Sequence, residues 1–274
     1  MKQIFSIFSV ALLLFASCDG TAQEFAHSEQ SQPQTFCQTY TENPQRDRML
    51  PSTTEKDQIV KHTYYTLSYS EADEQALWVA YMLTRSRTKG NVSRTDFFSA
   101  DESVETGSAS YEDYRSSGYT RGHLYPAADA RWNVTAMEET FLMSNISPQL
   151  KDFNEGVWSK LEGKMRHWAN VYDTIYIVTG PVLKATKEGA KLTKQIGKNR
   201  VSVPKYFYKA VYCPREQQAI GFLVPHEKSE ASLQSFVVSI DQLEEFTGID
   251  FFPELEDTIE QRIESSKDIR RWRW

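Results

Sequence analysis

The stretch GYTRGHLYPAAD, from Gly118 to Asp129, places an arginine and a histidine on either side of one glycine. The chain has only five histidines in 274 residues. A histidine without polar neighbours is more often a hydrogen-bonded structural residue than a catalyst. His123 therefore indicates chemistry only if other reactive side chains lie close to it.

Such side chains occur in LKDFNEGVWSKLEGKMRHWAN, from Leu150 to Asn170. Apolar residues recur there every three or four positions and predict a helix with one buried face: Phe153, Val157, Leu161, Met165 and Trp168. A second row at a spacing of four contains Asn154, Trp158, Glu162 and Arg166. Side chains at that spacing are neighbours on a helix, and Glu162 before Arg166 is the favourable order for an ion pair. An ordinary surface salt bridge is the simpler alternative.

Other segments predict a mixed α+β fold with few helices. Strand-like runs occur at His62 to Ser70, Ala76 to Thr84, Thr174 to Pro181 and Val203 to Tyr212. These runs are rich in β-branched and aromatic residues and are bounded by turn residues. The segment Ser239 to Gly248 begins with a capping residue and ends at glycine, which predicts a short helix.

Together these segments resemble the DNA/RNA non-specific endonuclease family of ββα-metal (His-Me finger) nucleases. GYTRGHLYPAADARW and FLMSNISPQLKDFNEGVWSKLE carry the resemblance. WVAYMLT and RTDFFSAD precede them along the chain, and GPVL, PKYFYKAV and TGIDFFPEL come after them. It extends from roughly Thr63 to Leu255 and implies an α+β fold with a central antiparallel sheet. The family's Asp-Arg-Gly-His is here Thr120-Arg121-Gly122-His123, so the aspartate is missing.

The resemblance also implies a role for each polar side chain. His123 matches the general base that takes a proton from water, and Asn154 matches the one direct protein ligand of a hydrated Mg²⁺. Mg²⁺ keeps several waters and often borrows substrate phosphate, so one neutral ligand is acceptable. Mn²⁺ could replace it. Glu162 matches a carboxylate that holds metal-bound water and can orient Arg166.

Three arginines match phosphate-contacting residues of the family: Arg94, Arg121 and Arg166. A planar guanidinium grips two phosphate oxygens as lysine cannot. Asn145, in SNISPQ, matches an amide near the scissile phosphate. The resemblance thus implies a Mg²⁺-dependent endonuclease that hydrolyses the phosphodiester bonds of DNA and RNA. The missing aspartate and the acidic net charge leave an alternative, a catalytically impaired nucleic-acid-binding surface lipoprotein. A second copy of the chain, in a homodimer, is a candidate partner.

The N-terminus predicts export. Lys2 precedes a short apolar run from Ile4 to Phe15, too short to span a bilayer but typical of a secretory signal. Small residues before Cys18 indicate a lipoprotein-type signal peptide over residues 1–17, with lipidated Cys18 as a membrane anchor. Ordinary cleavage near Ala16 is the alternative. A polar tether over residues 18–57 and one domain over 58–274 follow. We expect a periplasmic, outer-membrane or cell-surface location.

Charge and cysteines add two open questions. The net charge of −6 argues against a protein that coats nucleic acid non-specifically. A basic strip between Lys184 and Lys209 could nevertheless meet a polyanion, or could be a solvated loop and strand edge. Cys37 and Cys213 could form a disulfide in an oxidising compartment, or could remain apart.

Overall fold

The predicted strands form the middle of a seven-stranded antiparallel sheet. The computed structural model describes residues 49–53, 58–183 and 194–274. The strands are β1 Gln58–Lys61, β2 Tyr65–Ser70, β3 Gln75–Thr84, β4 Thr120–His123, β5 Ile146–Gln149, β6 Thr174–Pro181, β7 Gln195–Ile196, β8 Val201–Ser202, β9 Tyr206–Cys213, β10 Gln218–Pro225 and β11 Val237–Val238. The large sheet has the order β1-β2-β3-β6-β9-β10-β11, while β4 pairs with β5 and β7 pairs with β8. The expectation of an α+β fold with a central antiparallel sheet is confirmed.

Two strand predictions began too early. β2 starts at Tyr65, because the backbone N–H of His62 donates to Tyr65 O and closes the turn after β1. β9 starts at Tyr206, two residues after Pro204. Proline has no N–H to donate to a sheet ladder, which favours a strand start beyond it.

The described residues form five α-helices: α1 Val134–Glu139, α2 Lys151–Phe153, α3 Ser159–Tyr172, α4 Ile240–Thr247 and α5 Asp257–Glu264. Of these, α3, α4 and α5 pack against the large sheet. The helix predicted from Ser239 to Gly248 is α4. Ser239 caps its start by accepting from the Gln242 N–H, and Gly248 ends it in the left-handed conformation, with φ 74°. That conformation favours glycine at a helix C-terminus.

Both faces of the sheet are buried. Val79 and Tyr81 of β3 face a large apolar cluster that includes Leu161 and Met165 of α3. Trp78 and Ala80, which alternate with them, face a second cluster that includes Leu243 of α4 and Ile263 of α5. Successive side chains of a strand point to opposite faces. The central strands are therefore mostly apolar on both faces, with Thr179 and Lys209 as buried polar exceptions. The ribbon β4–β5 shares a cleft with α3.

Several predictions fall outside the described residues: the signal peptide, Cys18, Cys37 and most of the tether. Cys213 is buried in β9, and its pairing with Cys37 stays a prediction. Met49 and Leu50, assigned to the tether from sequence, pack against the α4–α5 side of the core. Within 49–53, 58–183 and 194–274, no helix is long and apolar enough to cross a membrane.

Candidate active site

The ribbon β4–β5 directs Arg121 and His123 to one side. They are two residues apart on one strand, so their side chains share a face. Gly122 lies between them, opposite Ser147 of β5. A Cβ on Gly122 would stand 2.1 Å from the buried side chain of Gln149. A larger residue at position 122 would therefore force the buried Gln149 side chain to move.

The helical segment after β5 is kinked at Asn154–Trp158, between α2 and α3, where Gly156 has a non-helical φ of −98° and ψ of −112° within one π turn. A π turn inserts one extra residue per turn and is frequent at functional sites. The predicted row of Asn154, Trp158, Glu162 and Arg166 is therefore wrong at Trp158, which is fully buried. Ser159 takes its place beside Asn154, followed by Glu162 and Arg166. The apolar face holds as predicted, with all five of its residues buried.

These elements enclose a cleft of about 370 Å³. It brings together six of the seven site residues expected from sequence: Arg94, Arg121, His123, Asn154, Glu162 and Arg166. Asn145 does not line it. The Asn145 side chain is fully buried, accepts from the Tyr125 N–H at 2.8 Å, and donates to Tyr125 O at 3.0 Å and Thr140 O at 2.8 Å. Asn145 therefore holds the backbone just after His123 and is not placed to contact a phosphate.

His123 lies against an aromatic wall. Its ring centre is 4.8 Å from that of Phe141, edge to face, and 5.7 Å from that of Phe98. Its Nε2 is buried and has no hydrogen-bond partner among the described residues, which leaves Nδ1 as the ring nitrogen with access to the cleft. Burial lowers the pKa of His123 to about 3, and the charges of Arg94 and Arg121 add to the decrease. The imidazole is therefore neutral at neutral pH and can accept a proton.

The side-chain amide of Asn154 has a defined orientation. Thr120 uses its hydroxyl proton to donate to Gln149 O at 2.9 Å, so its oxygen can only accept from Asn154, whose Nδ2 is 3.1 Å away. An amide nitrogen directed at Thr120 turns Oδ1 away from it. Oxygen ligands suit Mg²⁺, and Asn154 and the Glu162 carboxylate line the same cleft. The residues present fit a hydrated cation with few direct protein ligands.

Two of the arginines are held on aromatic faces. The Arg121 guanidinium carbon is 4.2 Å from the ring centre of Tyr111 and 4.6 Å from that of Phe98. That of Arg94 is 5.1 Å from the ring centre of Phe141. Such contacts attract a cation to the ring face while its N–H groups remain available. Both guanidinium groups can therefore meet an anion in the cleft.

The ion pair predicted between Glu162 and Arg166 is replaced by another. Arg166 Nη1 donates to Asp129 Oδ1 at 2.7 Å, and the second oxygen of Asp129 accepts from the Tyr81 hydroxyl at 3.2 Å. Asp129 is fully buried. Burial raises its pKa, and Arg166 opposes that rise. Asp129 lies in the quoted stretch GYTRGHLYPAAD, yet its spacing gave no sign that it would meet a helix 37 residues later.

Lys209 was also missed as a site residue, since the sequence placed it in a basic strip that could meet a polyanion or could be a solvated loop and strand edge. It is fully buried in β9, donates to Thr179 Oγ1 at 3.1 Å, and lies 4.4 Å from the Trp158 ring centre. Burial raises the pKa of Glu162 and lowers that of Lys209, and the attraction between the two charges opposes both shifts. A single lysine inside the apolar run YFYKAVY was the available signal.

The remaining described histidines stay outside the cleft. His62 is buried and contacts Asp101 at 2.9 Å, while His167 is exposed. Among the described residues, one group of three carboxylates could hold a metal, Asp241, Glu244 and Glu264. None of the three lines the cleft.

Comparison with known proteins agrees with this geometry. The profile of the family described as DNA/RNA non-specific endonuclease matches residues 45–258. Human mitochondrial nuclease EXOG is 35% identical over 221 residues, covering 76% of this chain and 60% of its own length. Human mitochondrial endonuclease G is 33% identical over 209 residues, covering 72% of this chain and 70% of its own length.

A similar solved structure is the crystal structure of the EndoG/EndoGI complex, at a TM-score of 0.70 and 29% identity, covering 77% of this chain and 91% of that chain. This chain spans about three fifths of the length of the EXOG relatives, for example 61% of the zebrafish (Danio rerio) protein. The profile match and the relatives at 33% identity and above identify the family directly. The chain belongs to the DNA/RNA non-specific endonuclease family.

Proposed function

We propose that this protein is a Mg²⁺-dependent endonuclease that hydrolyses phosphodiester bonds in both DNA and RNA. The observation that carries the proposal is the convergence of a neutral histidine, an oriented amide, a carboxylate and three arginines in one cleft. Phosphodiester hydrolysis needs an activated water, neutralisation of charge on phosphorus and stabilisation of the leaving oxygen. The cleft holds a candidate group for each need.

His123 acts as the general base. Its Nδ1 takes a proton from the attacking water, the new bond forms between that water oxygen and phosphorus, and the bond to the leaving oxygen breaks. Burial is the main cause of the lowered pKa of His123, and the charges of Arg94 and Arg121 add to it. A bound phosphate offsets the two arginine charges and so opposes their part of the decrease.

Asn154 and Glu162 would hold Mg²⁺ and its waters, Asn154 through Oδ1. When bound, the ion supplies positive charge to phosphate oxygens and to the departing oxygen. Thr120 keeps the Asn154 amide turned for this role. Asp129 holds Arg166, which lines the cleft, through an ion pair at 2.7 Å. The inactive-binder alternative was prompted in part by threonine at position 120, and the hydrogen bond from Asn154 to Thr120 supports an active site.

The test is cleavage of supercoiled plasmid and of a single-stranded RNA by the chain from Asp19 onward. We expect cleavage of both in Mg²⁺ and none in EDTA. His167→Ala is the matched control for His123→Ala, since His167 is exposed and outside the cleft. Cleavage that persists in EDTA would contradict the proposed Mg²⁺ dependence. Cleavage of only one of the two nucleic acids would contradict the proposed activity on both DNA and RNA.

The cellular location is a proposal of the same kind. The signal segment and Cys18 support an exported lipoprotein in the periplasm or at the outer membrane or cell surface. Acylation attaches a protein firmly only when more than one chain is present. A stable membrane association therefore requires full lipoprotein processing of Cys18.

A further inference from the structure

A second hollow of about 390 Å³ lies beside the catalytic cleft. We call it the flanking hollow, and its polar and aromatic lining consists of Tyr119, Lys194, Lys205, Tyr206, His226 and Glu227. Tyr119 directly precedes Thr120, whose hydroxyl contacts Asn154 at 3.1 Å. Consecutive Cα atoms are about 3.8 Å apart. The flanking hollow therefore begins one residue from the contact that orients the predicted metal ligand.

His226 gives the hollow a fixed wall. Its Nε2 accepts from the Leu150 N–H at 2.7 Å, which requires Nδ1 to be the protonated nitrogen that donates to Pro204 O at 2.8 Å. The rings of Phe153 and Phe207 lie edge to face with it, at 5.0 and 5.1 Å between ring centres. Both nitrogens are committed to the backbone, so His226 shapes the hollow and is not available as a second base.

The hollow combines cations with aromatic faces. Lys194 Nζ lies 4.6 Å from the ring centre of Tyr119, and Lys205 and Tyr206 line the same space. Glu227 is the one carboxylate in the lining, so the lining carries two lysine charges against one. Lysines that contact phosphates, together with aromatic rings on which bases stack, are the usual means of holding a nucleic-acid strand without sequence preference.

The position of the hollow suits a nucleic-acid strand that continues past the cleft. Each strand of a duplex carries one phosphate per about 3.4 Å of helix axis. A strand with its scissile phosphate near Asn154 therefore has its next nucleotide within reach of a hollow that begins at Tyr119. Of the basic strip recognised in the sequence, Lys209 lies buried beneath the cleft, whereas Lys194 and Lys205 line the hollow beside it.

We propose that the flanking hollow binds the nucleotide next to the scissile phosphate, with Lys194 and Lys205 contacting its phosphate and Tyr119 stacking on its base. The proposal rests on the proposed nuclease function and adds a substrate subsite to it. It assigns the length dependence of cleavage to residues outside the catalytic cleft.

The experiment compares the Lys194→Ala/Lys205→Ala double variant with wild type on a dinucleotide and on a 20-base-pair duplex in Mg²⁺. For the duplex we expect KM to rise roughly 10- to 100-fold with kcat little changed, and the slope of log KM against log salt to fall by about 1, for the one phosphate that both lysines contact. For the dinucleotide, the variant and wild type should differ less than threefold. Lys194→Arg/Lys205→Arg should restore the duplex KM.

The control is Lys89→Ala/Lys267→Ala, which removes two exposed lysines that line neither the cleft nor the hollow. If the Lys194→Ala/Lys205→Ala variant has the same duplex KM and the same salt slope as this control, the proposed subsite is wrong. Equal losses on both substrates would overturn it too, since they indicate damage to the cleft. A wild type that cleaves neither substrate would instead refute the proposed function. Tyr119→Ala should raise the duplex KM while leaving the salt slope unchanged, and a changed slope would contradict its stacking role.

Discussion

Replacing Asp129 by alanine should destabilise the protein and loosen Arg166 in the cleft. Asp129 is fully buried, and its two oxygens accept from Arg166 at 2.7 Å and from the Tyr81 hydroxyl at 3.2 Å. Alanine leaves a partly buried guanidinium and a buried phenol without their acceptor. Removing one partner of a buried ion pair costs about 3–5 kcal/mol. For a protein of this size each kcal/mol lowers Tm by about 2–4 °C, so we expect a decrease of roughly 6–20 °C. Asp129→Asn keeps one acceptor oxygen and should cost less.

Urea unfolding and thermal melts measure the stability change, and steady-state cleavage of a duplex measures the effect on the site. We expect KM to rise in Asp129→Ala because Arg166 is no longer held against the cleft wall. Glu230→Ala is the control, since it breaks the exposed pair of Lys160 and Glu230, 3.3 Å apart. An exposed pair contributes at most about 1 kcal/mol. A loss in Asp129→Ala no larger than that of the control would refute the reasoning that this pair is a buried support of the active site.

His123→Ala should lower the single-turnover cleavage rate roughly 10²–10⁴-fold while folding and duplex binding in Ca²⁺ persist; a rate within tenfold of wild type would remove the general base. The pKa of His123, about 3 when folded, lies below its ordinary value of 6.5, so its contribution to stability is present above pH 6.5 and is lost as the pH falls toward 3. Between pH 7 and pH 4 the metal-free wild type should therefore lose about 3 kcal/mol more than His123→Gln in urea titrations, and parallel curves would contradict that pKa. Asn154→Ala should lose activity that raised Mg²⁺ restores in part, whereas an equal loss at every Mg²⁺ concentration would point to a different role. Cys18→Ser should move the protein from the membrane to the soluble fraction, and unchanged fractionation would argue against lipidation.

Much of the candidate site follows from local sequence. Arg121 and His123 share a strand face because they are two residues apart, and Glu162 and Arg166 share a helix face because they are four apart. The apolar spacing of the helix from Phe153 to Trp168 also defined its buried side correctly. These properties depend only on the strand and helix periods, so they can be predicted from residues that are close together in the sequence.

The partners of those side chains were decided by tertiary structure. Arg166 pairs with Asp129 and not with Glu162, although Glu162 is four residues away, because folding brings a buried carboxylate from the β4–α1 connection to within 2.7 Å. Lys209 lies beneath the cleft because its strand is central in a sheet covered on both faces.

The phase of the active-site helix and the role of Asn145 were decided in the same way. The π turn at Asn154–Trp158 directs Trp158 inward and gives its place to Ser159, a change that apolar spacing alone does not encode. Asn145 bonds the backbone of Tyr125 across 20 residues. Sequence patterns determine which side chains share a local face. Which distant group is buried against them depends on how the whole chain satisfies its polar atoms when water is excluded.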